Sequence, residues 1–361
     1  MARPAYKSAR KDGTGNKKDA AGRQRQKAGT RAPKPGADAK REIQSQPTEV
    51  PARKHWSGKR LPETTGLVLR TQPDRDYTLV DCGNGRKLER YGDLLIDRPE
   101  GQAIWQRVLT DSDWQKADAI FTGDTDEEGA GRWRFPKRKL DETWRLEFDE
   151  LPYLGRFTSF RHVGVFPEQA AHWHALQNAI RNGRSDLRVL NLFGYTGLAS
   201  LVAARAGARV THVDASKKAI GWAKENQTLT ELSDTSIRWI CEDAVRFCQR
   251  EVRRGNTYDI ILLDPPAYGR GPKGEVWQLF DHLPHMLDLV RQLQSDTPVM
   301  TVLTSYAIRA SSFALHEIMQ EVFAGLDGKI ESGELVLECE NGERSLSTSM
   351  FSRFLSPECQ L

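Results

Sequence analysis

Three observations predict a doubly wound α/β fold on a mostly parallel sheet. From about residue 185 onward, five short apolar runs bounded by turn residues alternate with helix-length amphipathic segments. Residues suited to holding a ligand, among them Asp214, Asp243 and Asp264, stand directly after successive runs, where open α/β sheets bind their ligands. The 301 residues after position 60 carry nearly all the Trp, Phe, Ile and Leu, enough to bury a full core without disulfides or metals.

In chain order, the first segment is the least foldable. Residues 1–60 hold 17 Lys+Arg against 5 Asp+Glu, a net +12; residues 61–361 hold 36 against 44, a net −8. The overall +4 therefore hides two parts of opposite sign. Residues 1–55, rich in Lys, Arg, Gly, Ala, Pro and Gln, cannot offset the entropy of ordering and are predicted to be a disordered basic tail. Such a tail attracts phosphate backbones through counterion release, or merely solubilises the chain.

Order is predicted to begin near Trp56, with residues 56–145 forming a small β-rich accessory region. GLVLR (66–70) and the alternating stretch 77–96 read as strands, and Asn84-Gly85 suits a two-residue hairpin because both positions tolerate φ > 0. Ile104, Trp105, Val108 and Trp114 fall at helical spacing over 102–118, and WRLEFDEL (144–151) returns to a strand pattern. Six Trp between 56 and 173 could stack on bases, although core packing explains most of them better.

The third region, 146–361, carries the alternation. Its runs are RVLNL (188–192), ARVTHV (208–213), SIRWI (236–240), YDIILL (258–263) and TPVMTVLT (297–304); SGELVLE (332–338) and an apolar stretch over 346–354 follow. After the first run comes Asn191-Leu-Phe-Gly-Tyr-Thr-Gly197, whose glycines allow close backbone approach and open a helix. Asp214 follows the second run, placed either to accept two ribose hydroxyls or to cap the next helix, with Ser216 a rival for the cap. Glu242-Asp243-Ala244 follows the third, suited to an adenine edge or to a helix start. Asp264-Pro-Pro-Ala-Tyr268 follows the fourth: two prolines stiffen the loop and leave an aspartate aimed at the cleft, while Tyr268 can stack on a planar base. Arg270 and Lys273 in the Gly-rich stretch beyond it could hold a substrate phosphate. That stretch also satisfies G-x-G-x-x-G, but a dinucleotide fingerprint belongs at the first strand-to-helix turn. His172 and His174, two apart on a helix, do not share a face, so no metal is predicted.

The chain resembles the class I S-adenosylmethionine-dependent methyltransferases, and within them the bacterial large-subunit (23S) ribosomal RNA methyltransferase I/K-like branch. The resemblance covers roughly 145–355 and is carried by FRHVGVFPEQ, LNLFGYTGLAS, VDASKKAIGWAKEN, LDPPAYGRG and LSTSMF. It implies a seven-stranded Rossmann-like methyltransferase domain with S-adenosyl-L-methionine as cofactor. By the same resemblance Asn191, Phe193, Tyr195, Thr196 and Gly197 line the methionine and ribose side. Asp214 with Ala215 then binds the ribose, Asp243 with Ala244 the adenine, and Asp264, Pro265, Pro266 and Tyr268 stand at methyl transfer. Phe166, Glu168 and Gln169 fall where relatives have a loop closing over the cofactor.

Methylation of cytosine C5 needs a cysteine thiolate to add to the ring, and no cysteine follows the fourth or fifth run. Base nitrogens of ribosomal RNA, ring or exocyclic, are therefore the expected acceptors. Tyr268 stands one position later than in the amine-methylating D-P-P-Y pattern, which weighs against exocyclic adenine. A protein or small-molecule acceptor, or a non-catalytic RNA-binding protein on this scaffold, are the alternatives. Five scattered cysteines without C-x-x-C spacing predict a reduced, cytoplasmic setting. No apolar run approaches the roughly 18 residues of a membrane span, and an apolar secretion signal is missing, so neither membrane nor export is predicted.

Overall fold

Side-chain alternation along buried strands decides the layering. The computed structural model describes residues 53–123, 131–232, 237–306 and 310–361; the basic tail lies outside these apart from its last three residues. Strand β1 (Glu63–Thr71) precedes a small antiparallel group, β2 (Tyr77–Gly83), β3 (Arg86–Tyr91) and β4 (Leu94–Pro99). Helix α1 (Asp111–Trp114), β5 (Ala119–Phe121), β6 (Trp133–Arg134) and the hairpin β7 (Thr143–Phe148) and β8 (Leu151–Arg156) come next. The α/β run follows: α2 (Ala170–Arg181), β9 (Arg188–Leu192), α3 (Leu198–Arg205), β10 (Arg209–Asp214), α4 (Lys217–Thr228), β11 (Ile237–Cys241), α5 (Ala244–Arg254) and β12 (Ile260–Leu263). The hairpin β13 (Tyr268–Arg270) and β14 (Val276–Gln278), then α6 (Leu279–Gln292), β15 (Met300–Tyr306), α7 (Ser312–Phe323), β16 (Lys329–Glu338) and β17 (Ser345–Leu355) complete it.

The large sheet has the order β1-β16-β17-β15-β12-β9-β10-β11. Strands β15, β12, β9, β10 and β11 are mutually parallel, and β17 enters antiparallel between β15 and β16. Val189, Ile260 and Val302 pack on one face with Leu176 of α2 and Leu201 of α3. Their neighbours Leu190, Ile261 and Leu303 pack on the other with Phe247 of α5, Leu287 of α6 and Leu315 of α7. Strands covered on both faces are near-continuously apolar, which is why each run reads as it does. No helix of the described residues is long and apolar enough to cross a membrane.

Two local expectations are corrected. The GLVLR run joins the large sheet as an eighth strand, β1, parallel to β16 (Leu69 opposite Leu335), instead of the small sheet. Its partner lies more than 260 residues away, so nothing local marks the choice. The helix expected over 102–118 is a single turn, Asp111–Trp114, capped by Thr110. Residues 103–105 instead serve the β2–β3 hairpin: the Ala103 and Trp105 carbonyls accept from the Gly85 and Asn84 amides. The Trp105 indole donates to the Cys82 carbonyl at 2.9 Å. Asn84 (φ 52°) and Gly85 (φ 74°) make the left-handed turn their sequence suggests.

The small sheet, β2-β3-β4-β5-β6, is organised around a buried ion cluster. Glu89 and Arg98 are almost wholly buried and meet at 2.6 Å. The Tyr77 and Tyr91 hydroxyls donate to Glu89 at 3.0 and 3.1 Å, and Arg98 donates to the Tyr91 oxygen at 2.7 Å. Burial works against the Glu89 charge, but Arg98 and Lys87 outweigh it and hold the carboxyl below its ordinary range. Arg98 also donates to the Arg161 carbonyl at 2.9 Å, tying the small sheet to the loop that leads toward α2.

Arg98→Met alone should cost about 3–5 kcal/mol, because it strands a buried carboxylate, whereas Glu89→Leu with Arg98→Met should recover most of the loss. Urea unfolding midpoints compare the variants, and an Arg98→Met protein as stable as the parent would refute the cluster's importance.

Candidate functional site

Parallel register brings the strand ends to one rim. Leu192 of β9 stands opposite Val213 of β10 and Leu263 of β12, and Asp214 opposite Cys241 of β11. The residues that follow these positions line a cleft of about 670 Å³, within the range of small-molecule sites. Its walls include Phe166, Phe193, Tyr195, Asp214, Ala215, Asp243, Ala244, Asp264, Pro266, Tyr268 and Arg270. A smaller adjoining cavity of about 70 Å³ is lined by Gln169, Asn191, Thr196, His172 and Thr304, and shares Phe166, Phe193, Tyr195 and Asp264 with the cleft.

The loop after β9 is built under constraint. Phe193 (φ 57°) and Tyr195 (φ 51°) adopt left-handed backbone, which costs about 1 kcal/mol or more each for such residues. The Tyr195 amide donates to Asp214 Oδ2 at 2.9 Å, and the Ser216 amide to Oδ1 at 2.8 Å. Ser216, not Asp214, caps α4, its hydroxyl accepting from the Ala219 amide. Each Asp214 oxygen thus takes one backbone N–H and keeps lone-pair capacity for a diol. Burial raises the Asp214 pKa, opposed by those two amide hydrogen bonds.

The glycines of this loop answer to packing underneath. A Cβ on Gly194 would lie 2.4 Å from His212 and 2.8 Å from Asn191 Nδ2; one on Gly197 would lie 2.8 Å from Trp239. Gly197 opens α3 with φ 83° and lies outside both cavity linings. Beneath the loop runs a polar chain: Asn191 Nδ2 donates to Ser200 Oγ at 2.9 Å, and Ser200 Oγ meets His212 Nδ1 at 3.0 Å. Thr196 donates to the Gly164 carbonyl at 2.6 Å, locking the loop to the segment before α2.

At the third strand end Asp243 starts a helix and also borders the cleft. It caps α5 by accepting from the Arg246 amide at 2.9 Å. Burial raises its pKa, and the Arg246 amide opposes the rise. Glu242 turns aside to pair with Arg250 at 2.5 Å.

The Asp264-Pro-Pro exit is tied down on its far side. The Pro266 carbonyl accepts from the Trp277 indole at 2.7 Å and the Ala267 carbonyl from the Leu279 amide at 3.0 Å. Pro265 is not among the lining residues. The Gly-rich stretch after it forms the β13–β14 hairpin, which carries Tyr268 and Arg270 on the cleft and places Lys273 at its exposed tip, off the wall.

Phe166 joins an aromatic wall, its ring 5.0 Å from Tyr306, 5.0 Å from His162 and 5.7 Å from Tyr195. Gln169 donates to the Tyr306 hydroxyl at 2.9 Å. Glu168 departs from the expected closing loop: it is buried in an adjoining pocket of about 30 Å³ with Lys87, Arg98, Glu100 and Arg161, where burial raises its pKa. His162 and Trp277 also line the cleft and carried no role in the sequence reading. Trp277 is nine residues from Tyr268 and reaches the site only through the hairpin fold. Among the described residues no cluster of His, Cys, Asp or Glu could hold a metal ion.

Several known proteins resemble the chain. The family model described as conserved hypothetical protein 95 matches residues 164–284. A solved SAM-dependent methyltransferase from Agrobacterium tumefaciens is 57% identical, with a TM-score of 0.81 over 84% of this chain and 97% of that one. A SAM-dependent methyltransferase candidate from Streptococcus mutans is 15% identical with a TM-score of 0.60, over 78% of this chain and 76% of that one, and shares the fold. Among curated relatives, a "Ribosomal RNA large subunit methyltransferase K/L" of Shewanella sp. (strain ANA-3) is 34% identical over 145 residues, 38% of this chain. One of the same name from Syntrophotalea carbinolica is 36% identical over 135 residues, 36% of this chain. The matched stretch spans about a fifth of those relatives' length (20% and 18%).

The buried histidines around the site set an acid limit. Burial pushes the His172 and His212 pKa values down to about 3 from an ordinary 6.5. Between those values the unfolded chain binds more protons than the folded one, so stability is intact above pH 6.5 and falls as pH drops toward 3. Neither ring nitrogen of His172 has a hydrogen-bond partner, so His172→Leu should narrow the gap in Tm between pH 7 and about pH 4.5. An unchanged gap would contradict the assignment.

Proposed function

Because the chain belongs to the SAM-dependent methyltransferases, we propose that it transfers the methyl group of S-adenosyl-L-methionine to a base nitrogen of ribosomal RNA. The observation that carries this reading is the convergence of Asp214, Asp243 and Asp264 on one aromatic-walled cleft. The donor set fits the cofactor: hydroxyl pairs suit Asp214, an exocyclic amine suits Asp243, and a cationic sulfonium suits carboxylates and ring faces. When bound there, S-adenosylmethionine supplies an electrophilic methyl carbon.

The chain's own residues contribute binding and alignment. Asp214, pre-ordered by two backbone amides, orients the ribose without reorganising. Phe166, Tyr195 and Tyr306 exclude water, and Gln169, Asn191 and Thr196 border the smaller cavity suited to the methionine end. Pro265 and Pro266 hold Asp264 rigidly where an acceptor must line up with the methyl carbon. Tyr268, 38% exposed at the mouth, offers a face to an incoming base, and Arg270 a charge to its phosphate.

The ribosomal RNA assignment is supported by the names of the curated relatives and by the +12 charge of residues 1–60. Nitrogen is favoured because no cysteine is among the described residues lining the cleft. A cytoplasmic location fits that substrate.

Asp214→Ala should weaken S-adenosylmethionine binding by about 2 kcal/mol, roughly 30-fold in Kd by calorimetry; unchanged affinity would reject the site. Ribosomal RNA from a deletion strain should take label from the cofactor and yield an N-methylated nucleoside, and 5-methylcytosine would overturn the nitrogen assignment. Removing residues 1–55 should weaken RNA binding most at low salt; equal affinity at all salt concentrations would assign the tail no electrostatic role.

A further inference from the structure

We propose that Cys82 and Cys339 are a site of oxidative modification: a peroxide converts them to a reversible disulfide that staples the small sheet to the large one. Cys82 lies near the end of β2 and Cys339 directly follows β16, 257 positions away, yet their sulfurs stand 3.9 Å apart. That is direct contact, about 1.9 Å longer than an S–S bond, a gap that side-chain rotation with slight backbone adjustment closes.

The backbone holds the two thiols together. Leu79 of β2 pairs with Cys339 as an isolated bridge, and the Glu340 amide donates to the Leu79 carbonyl at 2.9 Å. The Trp105 indole donates to the Cys82 carbonyl at 2.9 Å, and the Cys339 amide to the Arg344 carbonyl at 2.9 Å. Neither sheet has to be rearranged for the sulfurs to react, so their effective concentration is high.

The surroundings also divide the roles. The Cys339 thiol, as hydrogen-bond donor, lowers the Cys82 pKa, aided by the Trp105 indole and Arg344 and opposed by burial and Asp81. The same contact raises that of Cys339. By contrast, burial pushes the Cys248 thiol well up and the Cys359 thiol up to about 11. Cys82 is therefore the attacking sulfur and Cys339 its resolving partner. Both are buried, but Cys339 precedes the exposed turn 340–343, whose transient opening admits a small neutral oxidant.

The chemistry balances with hydrogen peroxide as oxidant. Cys82 sulfur attacks one peroxide oxygen, the O–O bond breaks, and the departing hydroxide takes the Cys82 proton as water, leaving a sulfenic acid. Cys339 sulfur then attacks Cys82 sulfur, the S–O bond breaks, and that hydroxide leaves with the Cys339 proton as a second water. Two electrons pass from the sulfurs to the peroxide, and cellular thiols reverse the bond. Near this junction the exposed Arg90–Glu340 ion pair, at 2.7 Å, is a weak tie; a covalent bond is not.

Full-length protein treated with a small molar excess of hydrogen peroxide, then unfolded and alkylated, should lose two of its five free thiols. Peptide mapping should find Cys82 joined to Cys339, and dithiothreitol should restore all five thiols. Oxidation should raise the parent's Tm by about 5 °C, because the bond closes a long loop, and leave the Tm of Cys82→Ala unchanged. Five thiols surviving the treatment would overturn the proposal, as would oxidation of the more exposed Cys241 or Cys359 with Cys82 and Cys339 left reduced. A Cys82–Cys339 bond that fails to raise the Tm would overturn the stapling.

Discussion

Parallel pairing of β9 with β10 on one side and β12 on the other is the constraint on which the site depends. Because Leu192 faces Val213 and Leu263, the chain leaves all three strands at one edge, and whatever follows must meet there. A slip of one residue in β10 would turn Asp214 to the opposite face and bury a carboxylate among the α5–α7 side chains. The apolar residues that hold register, alternately serving the two cores, therefore also position the chemistry.

The loop after β9 shows how packing below a site determines its surface. Gly194 and Gly197 leave space for His212 and Trp239, and the backbone so placed directs the Tyr195 amide at Asp214. Left-handed φ at Phe193 and Tyr195 is tolerated because Asp214, the Thr196 to Gly164 bond and the Asn191–Ser200–His212 chain over-determine the conformation. The resulting aspartate is rigid and only partly satisfied, a condition suited to binding hydroxyl donors.

The small sheet contributes through its interior. Glu89 and Arg98 form a charge pair with no exposure to speak of, and such pairs add specificity of position more reliably than stability. Here Arg98 spends one nitrogen on the Arg161 carbonyl, so a cluster inside the accessory region fixes a loop bordering the cleft. Leu79 and Cys339 bridge the two regions nearby, with the Glu340 amide donating to the Leu79 carbonyl at 2.9 Å.

The sequence by itself determined the strands of the α/β half, the ligand-type residues at their ends and the Asn84-Gly85 turn. All of these are written in short-range patterns: two-sided burial makes apolar runs, and turn chemistry is local. Only the tertiary structure decided which element each segment joins and which way its side chains face. β1 pairs with a strand more than 260 residues away, the 102–118 segment gives its carbonyls to a hairpin instead of a helix, and Glu168 turns from the cleft toward Lys87 and Arg98. Ser216 rather than Asp214 caps α4, and Arg98 of the small sheet holds the carbonyl of Arg161, next to the cleft-lining His162. Such outcomes rest on contacts between residues distant in the chain, whose energies no local pattern contains.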